Sequence, residues 1–261
     1  MRKLRWWLTS FTLVLAPLVA YAELGDTLRI SRDQRQSTYV LMSKENQSLQ
    51  DDMTLNPALF SLMEGETLWK QASQNNKKSC ADCHQGAQPL KGVAASYPKV
   101  LGGRLITLED RINMCRAKQG LDSFEYESRE LLGLTAWVAY QSRGEAIRIK
   151  LDAQTRRHAE QGERLFNTRI GQINLSCAQC HEERSGLLLG GVTIPQGHPT
   201  GYPIYRLEWQ SMGSLQRRLR NCMIGVRATP YEYGALEFKQ LELFLKYRAQ
   251  GMKLETPAVR P

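Results

Sequence analysis

The spacing Cys-x-x-Cys-His occurs twice in this chain, at Cys80, Cys83 and His84 and again at Cys177, Cys180 and His181. Two thiols so spaced can form thioether bonds to the vinyl groups of one porphyrin, and the adjacent histidine reaches the iron from the same helical turn. A single pair of cysteines carries little information. Two identical spacings, each completed by one of the chain's four histidines, predict two covalently bound haem c groups. A large buried porphyrin would also supply apolar surface that a unit of about 100 residues is short of.

The first residues read as an export leader. Arg2, Lys3 and Arg5 precede an apolar run from Trp6 to Ala20 and the small-residue site Ala20-Tyr21-Ala22, which is the order of a signal peptide cleaved after Ala22. A retained anchor is the alternative, but Thr9, Ser10 and Thr12 interrupt the run, and a span needs about 20 apolar residues. No stable transmembrane segment is expected, and the predicted compartment is the periplasm. Removing the leader leaves 239 of 261 residues and lowers the formal charge from +9 to +6. Haem propionates would lower it further. Such a balance favours anionic substrates or acidic protein surfaces over nucleic acid, and no run of aromatics alternating with Lys and Arg forms a base-stacking face.

A shift of 97 residues aligns Gly65-Glu66-Thr67-Leu68-Trp69 with Gly162-Glu163-Arg164-Leu165-Phe166, and Ser79 to His84 with Ser176 to His181. Helices are predicted before each motif, from about Pro57 to Trp69 and from about Ala159 to Phe166. Beyond the motifs the shift grows to 107, because a longer loop through Gly190, Gly191 and Gly197 enters the second repeat. Arg111 and Cys115 then match Arg218 and Cys222. Leu134, Trp137, Val138 and Tyr140 match Leu241, Phe244, Leu245 and Tyr247, a helical apolar stripe closing each unit. The predicted fold is mainly α, with tandem duplicated cytochrome c-type domains each binding one haem. The expected limits are a signal peptide at 1–22, a polar extension at 23–56, a first haem domain at 57–145 and a second, catalytic one at 152–261. The extension reads as a strap over the other domain or a partly disordered arm.

Each iron needs a partner opposite its histidine. His158 reads as a packing or surface residue and His198 as a loop residue near a haem edge. Met114, Met212 and Met223 hold no equivalent positions and read as packing. Six cysteines in an exported chain suggest disulfides, and a Cys115–Cys222 bridge is one possibility. Cys115 and Cys222 are, however, the leftover metal-capable side chains placed alike in both halves, and a thiolate is a soft, strong iron ligand. The assignment is therefore His84 and Cys115 to the first iron, and His181 and Cys222 to the second. Arg111 and Arg218 lie four residues before these cysteines, on the same helical face, where a guanidinium favours the thiolate and can hold an oxyanion. They could equally pair with haem propionates or solvate a helix. Arg217, Arg220 and Arg227 add charge near the second site, Arg104 and Arg116 near the first.

Taken together, the leader, the two attachment motifs, Arg111-Ile112-Asn113-Met114-Cys115 and Arg218-Leu219-Arg220-Asn221-Cys222 resemble SoxA, the dihaem subunit of the SoxAX cytochromes of thiosulfate-oxidising Sox systems. The likeness covers essentially all of the mature chain. It implies His/Cys ligation at both irons and a heterodimer with a small monohaem cytochrome like SoxX. The activity it implies is oxidative conjugation of thiosulfate to a cysteine of a carrier like SoxYZ, an L-cysteine S-thiosulfotransferase reaction with electrons passed to cytochrome c. Some relatives carry a disulfide in place of the first haem, whereas here Cys80, Cys83 and His84 are all present. Cys222 would be the catalytic distal ligand, found as a persulfide in some relatives, with Arg218 beside it. The alternatives are a thiosulfate dehydrogenase forming tetrathionate, whose second haem would more naturally carry a switching Met, and a plain dihaem electron carrier.

Overall fold

A computed structural model describes residues 30–72, 78–84 and 88–261. The expected leader at 1–22 lies outside the described residues. The described chain is mainly helical, and no helix in it is long and apolar enough to cross a membrane. In chain order the helices are α1 (Lys44–Asp51), α2 (Leu59–Lys70), α3 (Cys80–His84), α4 (Leu108–Lys118), α5 (Arg129–Tyr140), α6 (Ala153–Asn167), α7 (Cys177–His181), α8 (Leu215–Gly225) and α9 (Leu236–Arg248). The strands are β1 (Lys99–Leu101), β2 (Arg104–Ile106), β3 (Leu188–Leu189), β4 (Val192–Thr193), β5 (Ile204–Arg206), β6 (Ser211–Gly213) and β7 (Ala258–Arg260).

The duplication is visible element by element: α2 to α5 with the β1–β2 hairpin reappear as α6 to α9 with the β5–β6 hairpin. Helix starts are repeated with the same capping chemistry. Ser79 and Asp82 bond reciprocally at α3, as Ser176 and Gln179 do at α7. Thr107 accepts from Asp110 N at α4, and Ser214 from Arg217 N at α8. Such caps satisfy amide donors that the first helical turn leaves without partners.

Each unit is framed by one helix crossing, α2 on α5 and α6 on α9. The crossings pivot on the glycines that the 97-residue shift aligned. A Cβ at Gly65 would lie 2.1 Å from the Gly133 carbonyl oxygen, and one at Gly162 would lie 2.0 Å from that of Gln240. Only hydrogen fits there. The predicted helix at 159–166 in fact begins six residues earlier, capped by the Asp152 carboxylate. Its buried residues Thr155, Ala159, Gly162 and Phe166 keep helical spacing, but three of them are small, so the stripe is weak in the sequence. The first helix starts at Leu59 rather than Pro57.

The units are not separate globules. Leu243, Ala249, Leu254 and Met212 of the second repeat pack into the core built on α2 and α5, while a smaller cluster around Phe166, Phe238 and Phe244 fills the second unit. The segment joining the repeats is buried at Ser142, Ile147 and Ile149, and its backbone bonds that of residues 251–254. Residues 30–56, the described part of the polar extension, form a strap over the second unit. There α1 packs on β7, which itself pairs in parallel with β5. Buried Gln50 accepts from Val259 N and Arg260, buried Asn56 donates to the Pro257 carbonyl, and Gln36 N donates to Gln196.

Replacing Gly162 with Ala should destabilise the haem-loaded protein by about 1–3 kcal/mol, seen as a lower urea midpoint. Gly191→Ala, with nothing within 4 Å of the added carbon and no positive φ, should leave the midpoint unchanged.

Candidate functional site

In the second unit, the cap at Ser176 sets α7 so that Cys177, Cys180 and His181 share one helical turn. The His181 Nδ1 lies 2.7 Å from the Pro195 carbonyl oxygen. A carbonyl only accepts, so Nδ1 carries a proton, and Nε2 is left as the nitrogen that would ligate a metal on losing its own proton. Gly197, at φ +74°, is close enough that a Cβ would stand 3.1 Å from the imidazole. This glycine therefore lets the loop close on the ring.

Across from His181, α8 carries Arg218 and Cys222. Burial opposes ionisation of the Cys222 thiol, but the His181 hydrogen bond, then the charges of Arg218, His181 and Arg206, outweigh it and bring the thiol down to about 7. Burial pushes the neighbouring Cys177 thiol the other way, up to about 12, with the nearby Cys222 adding to the effect. Two neighbouring helices, α7 and α8, thus bring a thiol whose ionisation is disfavoured, Cys177, close to one brought down to about 7, Cys222.

Arg206, on β5, was not foreseen from the sequence. Burial, then Arg218, lowers its pKa. Its Nη2 is 2.6 Å from Glu208, while its buried Nε has no hydrogen-bond partner. Tyr202 completes the wall: burial raises its phenol against the pull of Arg218, next to Cys222. The arginines expected to crowd this site point elsewhere. Arg217 stacks 4.3 Å from the Trp209 ring centroid and donates to Ser211 Oγ and the Met212 carbonyl. Arg220 donates to the Tyr231 carbonyl and covers Tyr233, and Arg227 is exposed.

The first unit repeats the plan in weaker form. Cys80 is half-buried and its thiol is raised by burial, then by Cys115. Cys83 is exposed. The His84 ring lies 5.3 Å from Trp69, which packs 4.8 Å from Trp137. Arg111 and Cys115 both bear on buried Tyr97, as Arg218 and Cys222 bear on Tyr202. Lys99, with its ammonium 4.2 Å over the Tyr97 ring, stands under the 107-residue shift where Arg206 stands in the second unit. Arg116 stacks on Phe124, and Arg104 is exposed. All six cysteines are free, with no bridge between Cys115 and Cys222.

A family model described as SoxA/TsdA, cytochrome c domain, matches the chain twice, over residues 64–147 and 161–254. The chain is 34% identical to the L-cysteine S-thiosulfotransferase subunit SoxA of Paracoccus pantotrophus over 208 residues, covering 78% of this chain and 72% of that protein. It is 32% identical to the SoxA subunit of Pseudaminobacter salicylatoxidans, covering 87% and 82%. The chain belongs to the SoxA family. A crystal structure of SoxXA from P. pantotrophus contains a chain that superposes with a TM-score of 0.84 at 32% identity, covering 87% of each.

The SoxA-type chain carries two cytochrome c domains and two c-type haem sites. Its own residues fit the group: in the second unit paired thiols adjoin an imidazole oriented by a carbonyl, and a thiol faces that imidazole. The methionines hold packing positions, Met212 and Met223 in the two cores and Met114 against the first. His158 meets Gln240 at the α6–α9 crossing. His198 is only 6% exposed and both of its ring nitrogens lack partners. Two residues that matter, Tyr97 and Tyr202, had a signal in the sequence. Tyr97-Pro98 and Tyr202-Pro203 repeat at a shift of 105, between the two shifts that aligned the rest.

Burial, then the charges of Arg248, Arg35 and His181, bring His198 down to about 3, so its ring is neutral in the folded protein. The unfolded chain binds this proton near pH 6.5. The resulting stability is present above about 6.5 and is lost as the pH falls toward 3. His198→Leu should therefore lose less Tm than the parent between about pH 6 and pH 4, followed by thermal melts.

Proposed function

We propose that this chain is the dihaem subunit of a periplasmic L-cysteine S-thiosulfotransferase, in which Cys222 is the reacting sulfur and Arg218 and Arg206 hold the substrate's sulfonate. The observation that carries the reading is the placement of the Cys222 sulfur opposite His181, with the guanidiniums of Arg218 and Arg206 beside it. On this reading His84 and Cys115 ligate the first iron, and His181 and Cys222 the second. The partners are a small cytochrome c resembling SoxX, a carrier resembling SoxYZ, and thiosulfate. The leader ends at Ala22, and the haem domains run over residues 57–145 and 152–261.

A bound c-type haem supplies an iron that takes electrons one at a time. The protein's part is to bind, orient and activate. Arg218 and Arg206 neutralise the sulfonate and aim the terminal sulfur of thiosulfate at Cys222. The Cys222 thiolate and thiosulfate join through a new sulfur–sulfur bond, and two electrons leave toward the partner cytochrome. The carrier thiolate then attacks the sulfur bonded to Cys222, takes the thiosulfate group and frees the Cys222 thiolate. In total, one thiosulfate and one carrier thiol give one carrier S-thiosulfonate, two electrons and one proton. Because Met212 and Met223 are built into the cores, the switching methionine of the dehydrogenase reading has no support at this site.

Cys222→Met with both haems retained should abolish carrier conjugation, followed as the mass increase of the carrier. Arg218→Leu and Arg206→Leu should each lower kcat/KM for thiosulfate about 10²-fold with haem content intact. Unchanged conjugation by Cys222→Met would refute the role of that sulfur.

A further inference from the structure

Where the two units meet, α4 and α5 of the first and α9 of the second enclose a cavity with about 30 Å³ of water-sized space. Thr135 and Glu242, Ala139 and Lys246, and Leu108 and Leu215 are equivalent positions under the 107-residue shift, and all of them line it. The cavity therefore lies on the seam where the repeats face each other. Tyr97 and Tyr202 also line it, and each of these tyrosines adjoins the distal cysteine and arginine of its own unit.

The seam is polar where a core should be apolar. Glu109, Glu242 and Lys246 are 9%, 8% and 6% exposed, and Thr135 is 2% exposed. The Thr135 hydroxyl is buried with no hydrogen-bond partner. A hydroxyl in that state calls for a ligand, and the space suits one or two waters at roughly 10–15 Å³ each.

The charges do not balance without a proton. Asp110 is held by Lys239 at 2.8 Å and by the Tyr126 hydroxyl. Glu127 accepts from Ser214 N and feels Arg217. Among the described residues Lys246 acts on both Glu242 and Glu109, and Lys239, paired with Asp110, acts on Glu242 as well. The three carboxylates Asp110, Glu109 and Glu242 against the two ammoniums of Lys239 and Lys246 would leave an uncompensated charge, which an apolar seam does not tolerate. Burial raises both carboxyls, and Glu109 raises Glu242 further.

We propose that this seam is a redox-linked proton site, in which Glu242 and Glu109, with water on Thr135, bind a proton when an electron enters a neighbouring haem. The electron comes from the external reductant and the proton from solvent. One O–H bond forms on a carboxylate, and the reverse occurs on oxidation. Added negative charge at a haem raises the proton affinity of carboxylates that share its low-dielectric surroundings. The inference rests on the two-haem reading and not on the thiosulfate chemistry.

The test is a spectropotentiometric titration of the full two-haem chain across neutral pH, with reduced-minus-oxidised infrared difference spectra in H2O and D2O. In the parent protein, the midpoint of at least one haem should fall as pH rises. A protonated-carboxyl band should appear on reduction and shift in D2O. Glu242→Gln should lose both the band and the pH dependence. Glu109→Gln and Thr135→Val provide the same readouts if that variant fails to fold. A parent spectrum without the band, or variants that keep the parent's pH dependence, would overturn the proposal. Haem content measured on the same samples separates a failure of the two-haem reading from a failure of the proton site.

Discussion

The rest of the structure depends on a close backbone contact made twice, where the missing side chains of Gly65 and Gly162 admit the carbonyls of Gly133 and Gln240. At these two crossings the helix before each attachment motif meets the helix that closes its unit. Their angle fixes where α3 and α7 hang and how far α4 and α8 stand from them. A methyl group at either point would push the frame apart. The sulfur and imidazole positions downstream would then move together.

On that frame the chemistry is electrostatic. Taking a thiol out of water disfavours its thiolate, and in the first unit burial raises Cys80. At Cys222 the same penalty is met by a hydrogen bond and by two guanidiniums. The first site has Lys99 and Arg111 around Tyr97 in the corresponding places. Lysine presents a compact, strongly hydrated charge, whereas arginine presents a planar fork that matches an oxyanion. The duplicated architecture thus repeats its geometry with a lysine, Lys99, in one unit where the other has an arginine, Arg206.

The joining of the units carries its own consequence. A strap, a buried connector and a shared core hold both halves as one body. The cost of that union is a seam containing carboxylates and a lysine, and the helices that form it are those that flank both haem sites.

The repeats, the attachment motifs and the two arginine–cysteine pairs were legible because local spacing alone sets them. Two cysteines and a histidine on one turn, or residues four apart on a helix, are neighbours in any fold that keeps the helix. The aligned glycines were legible as a repeat, but their reason was not, since the carbonyls they admit lie 68 and 78 residues away. The short hairpins escaped notice because three-residue strands are too brief to show alternation. Arg206 and Tyr202 reach Cys222 across a hairpin and a helix, while Arg217 and Arg220, nearer in sequence, turn to Trp209 and Tyr233. Sequence proximity fixed which residues share a helix. Only the tertiary structure decided which face each side chain takes, because that depends on what the other chain segments bury and what they leave open to charge.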